Sequence, residues 1–160
     1  MIKRSFARLW RKTDMPAIIV MLLGVCAGYG LFTLGSAAID RKPPVDYIAA
    51  SAANPSAPVG GTIDIHFDVY RYRICPVIKV SRTLTDATGT EHAVSNYTFA
   101  SNTRPGRESY DRTITIPEAV AIGRAFYQIR ISYACNFIHN LGWPIIVASP
   151  RVYFRITTSS

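Results

Sequence analysis

Apolar residues are distributed along this chain in two distinct ways. Between Met15 and Ile39 they form a block with no charged residue, and beyond Gly61 they alternate with polar ones. Because ~20 helical residues at ~1.5 Å rise each cross the ~30 Å hydrocarbon layer of a bilayer, the block predicts a transmembrane helix over 15–39. Asp14 is placed to cap it, Pro16 suits its first turn, and Asp40-Arg41-Lys42-Pro43-Pro44 stops it with charge and two prolines.

Past the block the period becomes two. Ile63-Asp-Ile-His-Phe-Asp-Val alternates as a half-buried strand requires. Tyr70, Tyr72 and Ile74 then occupy even positions and Arg71 and Arg73 odd ones, which predicts a β-bulge near Val69 that keeps both arginines out of the core. Further strands are predicted over 77–85, 91–100, 109–116, 125–137 and 145–157, with turns at Asp86–Gly89 and Asn102–Gly106 and a helical turn at Pro117–Ile122. Tyr127, Ile129, Ile131, Tyr133, Cys135 and Phe137 share one face of the 125–137 strand, so Cys135 is expected to point inward. Six or seven short strands with hardly any helical pattern predict a mainly β fold, an antiparallel β-sandwich over residues 61–160. Residues 40–60 carry Pro43, Pro44, Pro55 and Pro58 among Ala and Ser, and read as a linker with room for a first short strand around Tyr47 to Ser51.

Charge refines this layout. The formal net charge is +8, of which +4 falls in residues 1–38 and +4 in residues 39–160. Lys3, Arg4, Arg8, Arg11 and Lys12 precede the apolar block and only Arg41 and Lys42 closely follow it. The positive-inside rule then leaves residues 1–14 as a basic cytoplasmic tail and the C-terminal domain periplasmic or extracellular, on an inner or cytoplasmic membrane. A cleaved signal peptide is the competing reading, since Ser36-Ala37-Ala38 offers small residues for a peptidase; the apolar core of such peptides usually spans only ~7–15 residues. Gly24, Gly28 and Gly35 lie near one helical face, a spacing that lets two helices approach and gives a route to a homo-oligomer. Cys26, inside the block, reads as a small apolar filler.

Cys75 and Cys135 are the two cysteines outside the block, and an exported pair is a natural disulfide candidate. With a cysteine closing an early strand, Tyr133-Ala-Cys135 near the end of a later one, and the 117–123 segment ahead of it, the region 61–157 resembles an immunoglobulin-like domain. That resemblance implies a two-sheet sandwich serving as a binding module. No tryptophan follows Cys75 and no aspartate stands four residues before Tyr133, which argues against an antibody-type domain and favours a bacterial or viral Ig-like sandwich. The layout of basic tail, single helix and compact exported β-domain is also similar to small uncharacterised membrane proteins of phage and prophage.

Little in the sequence points to catalysis. His66, His92 and His139 lack the close spacing of metal ligands and read as surface or edge histidines, so no metal and no cofactor is expected. No nucleophile, base and orienting acid can be grouped, and a disulfide would remove two cysteines as nucleophiles. Asp64, Asp68, Asp86, Glu91, Glu108, Asp111 and Glu118 read as solvated charge. Tyr70-Arg-Tyr-Arg73 with Arg82, Arg104, Arg107 and Arg112 mixes basic and aromatic side chains as a nucleic-acid surface does, but arginines spaced along sheets also serve solubility, and nucleic acid is disfavoured. Asn96-Tyr-Thr98 fits a glycosylation acceptor, meaningful only in a eukaryotic secretory pathway.

The apolar loop around Phe137, Ile138, Leu141 and Trp143 offers anchors for a partner or a membrane face; the alternative is that these side chains fold back and plug the end of the sandwich. The expected function is therefore a membrane-anchored, non-enzymatic interaction protein. Its Ig-like domain would bind another protein in an envelope-associated or virion assembly, and a phage-type lysis or envelope-remodelling accessory is the alternative.

Overall fold

A computed structural model describes residues 15–95 and 104–158. The basic tail, the capping Asp14, the Asn96-Tyr-Thr98 triplet, the end of the predicted 91–100 strand and the start of the 102–106 turn lie outside these residues. Contacts divide the chain into two units, residues 1–40 and 41–160.

The described part of the first unit is the helix α1 (Met15–Ile39), with the bounds its hydropathy predicts. Residues 17–39 are long and apolar enough to cross a membrane. Its Thr33 and Ser36 hydroxyls are satisfied locally, as a helix away from water favours: Thr33 donates to the Gly30 carbonyl at 2.9 Å and Ser36 to that of Thr33 at 3.0 Å.

The second unit is built from β-strands. β1 (Val45–Ala52), β3 (Thr62–Arg71) and β6 (Gly106–Thr115) form a three-stranded antiparallel sheet in the order β1-β3-β6. The second sheet runs β2-β9-β7-β4-β5, from β2 (Ser56–Pro58), β9 (Val152–Thr157), β7 (Gly123–Tyr133), β4 (Val77–Thr85) and β5 (Glu91–Ala93). β8 (Ile145–Ala148) pairs with the far half of β7. Pairing is antiparallel throughout except between β2 and β9, which run parallel.

One apolar core joins the two sheets, with Ile63, Ile65, Phe67 and Val69 from β3 facing the same cluster as Tyr127, Ile129 and Ile131 from β7 and Phe154 and Ile156 from β9. The period-two pattern produces this directly, since alternate residues of a strand point to opposite sides.

Several expectations are revised. The segment 40–60 holds two paired strands, and Pro44 is fully buried while its carbonyl accepts from Tyr72 N at 2.9 Å. β3 keeps its phase: the register shift falls on its partner β1, between Tyr47 and Ala49, so Tyr70 and Tyr72 point out and Arg71 and Arg73 are half-buried. The predicted 145–157 strand is two strands, because Pro150 has no N–H for the ladder and Ser149 turns inward. The Ser149 hydroxyl accepts from Ile129 N at 3.0 Å and donates to the Pro150 carbonyl at 2.9 Å, replacing the missing strand contact. β7 ends at Tyr133, and a four-residue helix, α2 (Phe137–Asn140), follows it. Residues 117–122 form an irregular turn rather than a helical one.

Candidate interaction surfaces

Cys75 and Cys135 form the expected disulfide, with Cα atoms 4.8 Å apart. It lies beside the Val77–Tyr133 pair and ties the start of β4 to the end of β7, two neighbours within one sheet. Antibody domains instead place theirs between sheets.

The strand registers bring the start of β1, the end of β3, the start of β4, the end of β7 and the start of β8 to one end of the domain, through the pairs Val45–Arg71, Val77–Tyr133 and Tyr133–Ile145. The four loop residues singled out from the sequence lie there. Asn136 caps α2 by accepting from His139 N at 3.1 Å, and His139, fully buried, accepts from Cys135 N through Nδ1 at 3.1 Å. This small scaffold turns its apolar side chains outward: Phe137 is 50%, Leu141 81% and Trp143 55% exposed, with Ile138 half-buried. They do not fold back over the end of the domain.

The Arg41 guanidinium sits 4.7 Å from the Trp143 ring centre and donates to the carbonyls of Trp143 at 2.8 Å and Pro144 at 3.1 Å. Arg73 donates to the Lys42 carbonyl at 2.5 Å. Ile74 and Tyr72 extend the same exposed end.

The outer faces of the two sheets differ in charge. On the three-stranded sheet, polar groups are paired with one another across β3 and β6. His66 Nδ1 is 2.8 Å from Asp111, Thr113 donates to Asp64 at 2.5 Å, and Arg107 holds Asp68 through both nitrogens of its fork. Hydrogen bonding from Arg107 keeps the Asp68 carboxyl below its ordinary value, and Asp68 raises Arg107 in return.

On the six-stranded sheet, Lys79, Arg124, Arg130, Arg151 and Arg155 are all exposed. None has a carboxylate partner among the described residues. Arg124 lies over Tyr153 and Arg151 over Phe126, each at 4.8 Å, and the two rings pair at 5.6 Å. This cationic, aromatic face was not among the residues expected to bind. Its signal was present in the odd-even phase of β7 and β9.

Four residues depart from expectation: His139, expected at the surface or an edge, and Asp68, expected as solvated charge, are buried, and so are Arg82 and Asp86. Arg82, grouped with surface arginines, is buried; it donates to the Tyr127 hydroxyl at 2.5 Å and to the Ser95 carbonyl. Asp86 is not solvated charge: it accepts from Thr88 N, Thr90 N, Ala121 N and the Thr88 hydroxyl, and lies 2.8 Å from His92 Nε2. The Thr88 hydroxyl, the Ala121 amide and His92 hold its carboxyl far below the usual range. Each histidine thus serves a structural hydrogen bond, and no group of three metal-ligating side chains occurs among the described residues.

In α1, a Cβ added at Gly24, Gly28 or Gly35 would meet nothing within 4 Å, so the small-residue stripe is open.

No family model and no curated protein matches the chain. Among solved structures, the C-terminal domain of wzt is similar at 12% identity over 74% of this chain and 77% of that one, with a TM-score of 0.51. The Pseudomonas fluorescens alkylpurine DNA glycosylase AlkC bound to abasic-site DNA is 12% identical over 73% of this chain but only 31% of its own length, with a TM-score of 0.42. Spo0M, a sporulation control protein of Bacillus subtilis, is 12% identical over 74% of this chain and 51% of its own, with a TM-score of 0.37. At that identity the likeness to the wzt domain concerns the fold alone.

Proposed function

We propose that this chain is a single-pass, membrane-anchored, non-enzymatic interaction protein. Its N-terminus is cytoplasmic, and its exported Ig-like β-domain binds an acidic surface of a protein partner in an envelope-associated assembly. The observation that carries the reading is the outer face of the six-stranded sheet, where five exposed cations lack carboxylate partners among the described residues and two arginines stack on an aromatic pair. Arginine and aromatic side chains are the groups most enriched at protein interfaces, and pre-stacked guanidinia lose little freedom on meeting a carboxylate. The opposite face, whose charges are already paired, has less to offer such a partner.

A photoreactive side chain in place of Tyr153, in the full chain in its native membrane, tests this. Protein adducts are expected at 153, reduced by Arg124→Glu with Arg155→Glu, and absent from the same probe at Thr115 on the other face. Adducts at 115 and none at 153 would overturn the assignment.

A further inference from the structure

We infer that the Leu141/Trp143 end of the β-domain docks on the surface of a lipid bilayer, the same one that holds α1. This rests on reading α1 as a retained membrane span. The argument begins with chain length. α1 ends at Ile39, and Arg41 already belongs to the β-unit, fixed to the carbonyls of Trp143 and Pro144. Two residues of extended chain reach at most ~7 Å. The spacer expected from the prolines does not exist, since Pro44 is buried and β1 starts at Val45. The polar headgroup layer is ~5–8 Å deep on each side of the hydrocarbon. With α1 at ~37 Å against the ~30 Å hydrocarbon layer, the loop that grips Arg41 is therefore tethered within or just above the headgroups.

The chemistry of that end suits the location. Leu141, Trp143, Phe137 and Ile74 are each at least half exposed, although the domain has a well-filled core to receive apolar side chains. In water such a cluster loses stabilisation with no return, whereas in the interfacial layer Trp and Leu bury apolar area while the indole N–H and guanidinium remain hydrated. Arg41 over the Trp143 ring presents a cation and an aromatic together, a pairing that fits the phosphate and glycerol levels at once. Nearby charge is nearly balanced, with Arg41, Lys42 and Arg73 against Asp40 and Asp46, so the apolar side chains drive the docking and salt should weaken it little. A soluble partner on the same loop would have to compete with the bilayer already within reach.

Trp143 is the natural reporter. In the full chain carrying Trp10→Phe it is the sole tryptophan. The protein is reconstituted in phosphatidylcholine/phosphatidylglycerol vesicles with lipids brominated near the top of the acyl chain. The docked end predicts a blue-shifted emission, about a twofold loss of intensity with bromolipid, and protection from aqueous iodide, all retained at high salt. Leu141→Asp should restore most of the intensity while the β-sheet circular dichroism is unchanged. Emission as exposed to iodide as that of free tryptophanamide, in protein that stays on the vesicles through a carbonate wash, would overturn the docking alone. Release by the carbonate wash would instead overturn the retained span, and the docking with it.

Discussion

Removing the Cys75–Cys135 bond should cost the domain about 4 kcal/mol. The bond closes a separation of 60 residues, and the chain-entropy relation assigns a loop of that length roughly 4 kcal/mol at 25 °C through restriction of the unfolded chain. The native side changes less, because β4 and β7 are held by their own ladder from Val77–Tyr133 to Thr85–Phe126. Both cysteines are only partly buried, so alanine leaves no large cavity. For a unit of this size the loss corresponds to a fall in Tm of roughly 15 °C. The measurement compares Cys26→Ala with the triple variant that also carries Cys75→Ala and Cys135→Ala. Both are studied as full chains in detergent, with urea unfolding followed by circular dichroism in the β-sheet region. Removing Cys26 prevents thiol exchange, since it is the free cysteine. A difference below about 1 kcal/mol would refute the reasoning, because the unfolded chain would then already be confined without the bond.

Three other outcomes are expected. Tyr127→Phe removes the acceptor of a buried arginine and should destabilise the domain by about 1.5–3 kcal/mol in urea titration, whereas Tyr153→Phe, with its ring half exposed, should be near neutral. Asp86 is held ionised in the folded state, so its contribution is complete above the unfolded carboxylate value near 3.9 and declines as pH falls through its lower folded value. Asp86→Asn should therefore lower stability at neutral pH and flatten the acid limb of the stability curve, and an acid limb identical to wild type would contradict the assignment. Gly123 has φ +136° and an added Cβ would lie 2.8 Å from Ala87 Cβ, so Gly123→Ala should lower Tm clearly, while Gly24→Ala in the open stripe of α1 should leave the β-domain transition in place.

The legible parts of the fold are those in which one physical signal acts alone. The charge-free block marks the bounds of α1, and the alternation from Ile63 to Val69 marks β3, because burial decides both. Errors arose where two signals compete. Prolines at 43, 44, 55 and 58 read as a spacer, yet proline carbonyls accept hydrogen bonds as well as any, and those of Pro44 and Pro55 receive Tyr72 N and Arg155 N. Arg82 reads by charge as a surface residue, although Val80, Arg82 and Leu84 share a phase and the alternation alone places it inside. Of the candidate surfaces, the exposed loop was visible as an apolar run outside any strand. The cationic face was not, because its residues come from β4, β7, β9 and the turn before β9, and meet only through the sheet order.

The position of β9 bears on when this domain can fold. It stands between β2 and β7, so residues 152–157 complete contacts with segments made about a hundred and about thirty residues earlier. Until the ribosome has passed that point, β7 lacks a partner strand along half of one edge and β2 has no partner strand. Long-range pairing of this kind is slow to nucleate. The sheet therefore stays incomplete until residues 152–157 are made, and both partner thiols remain within reach of an oxidant before it closes beside them.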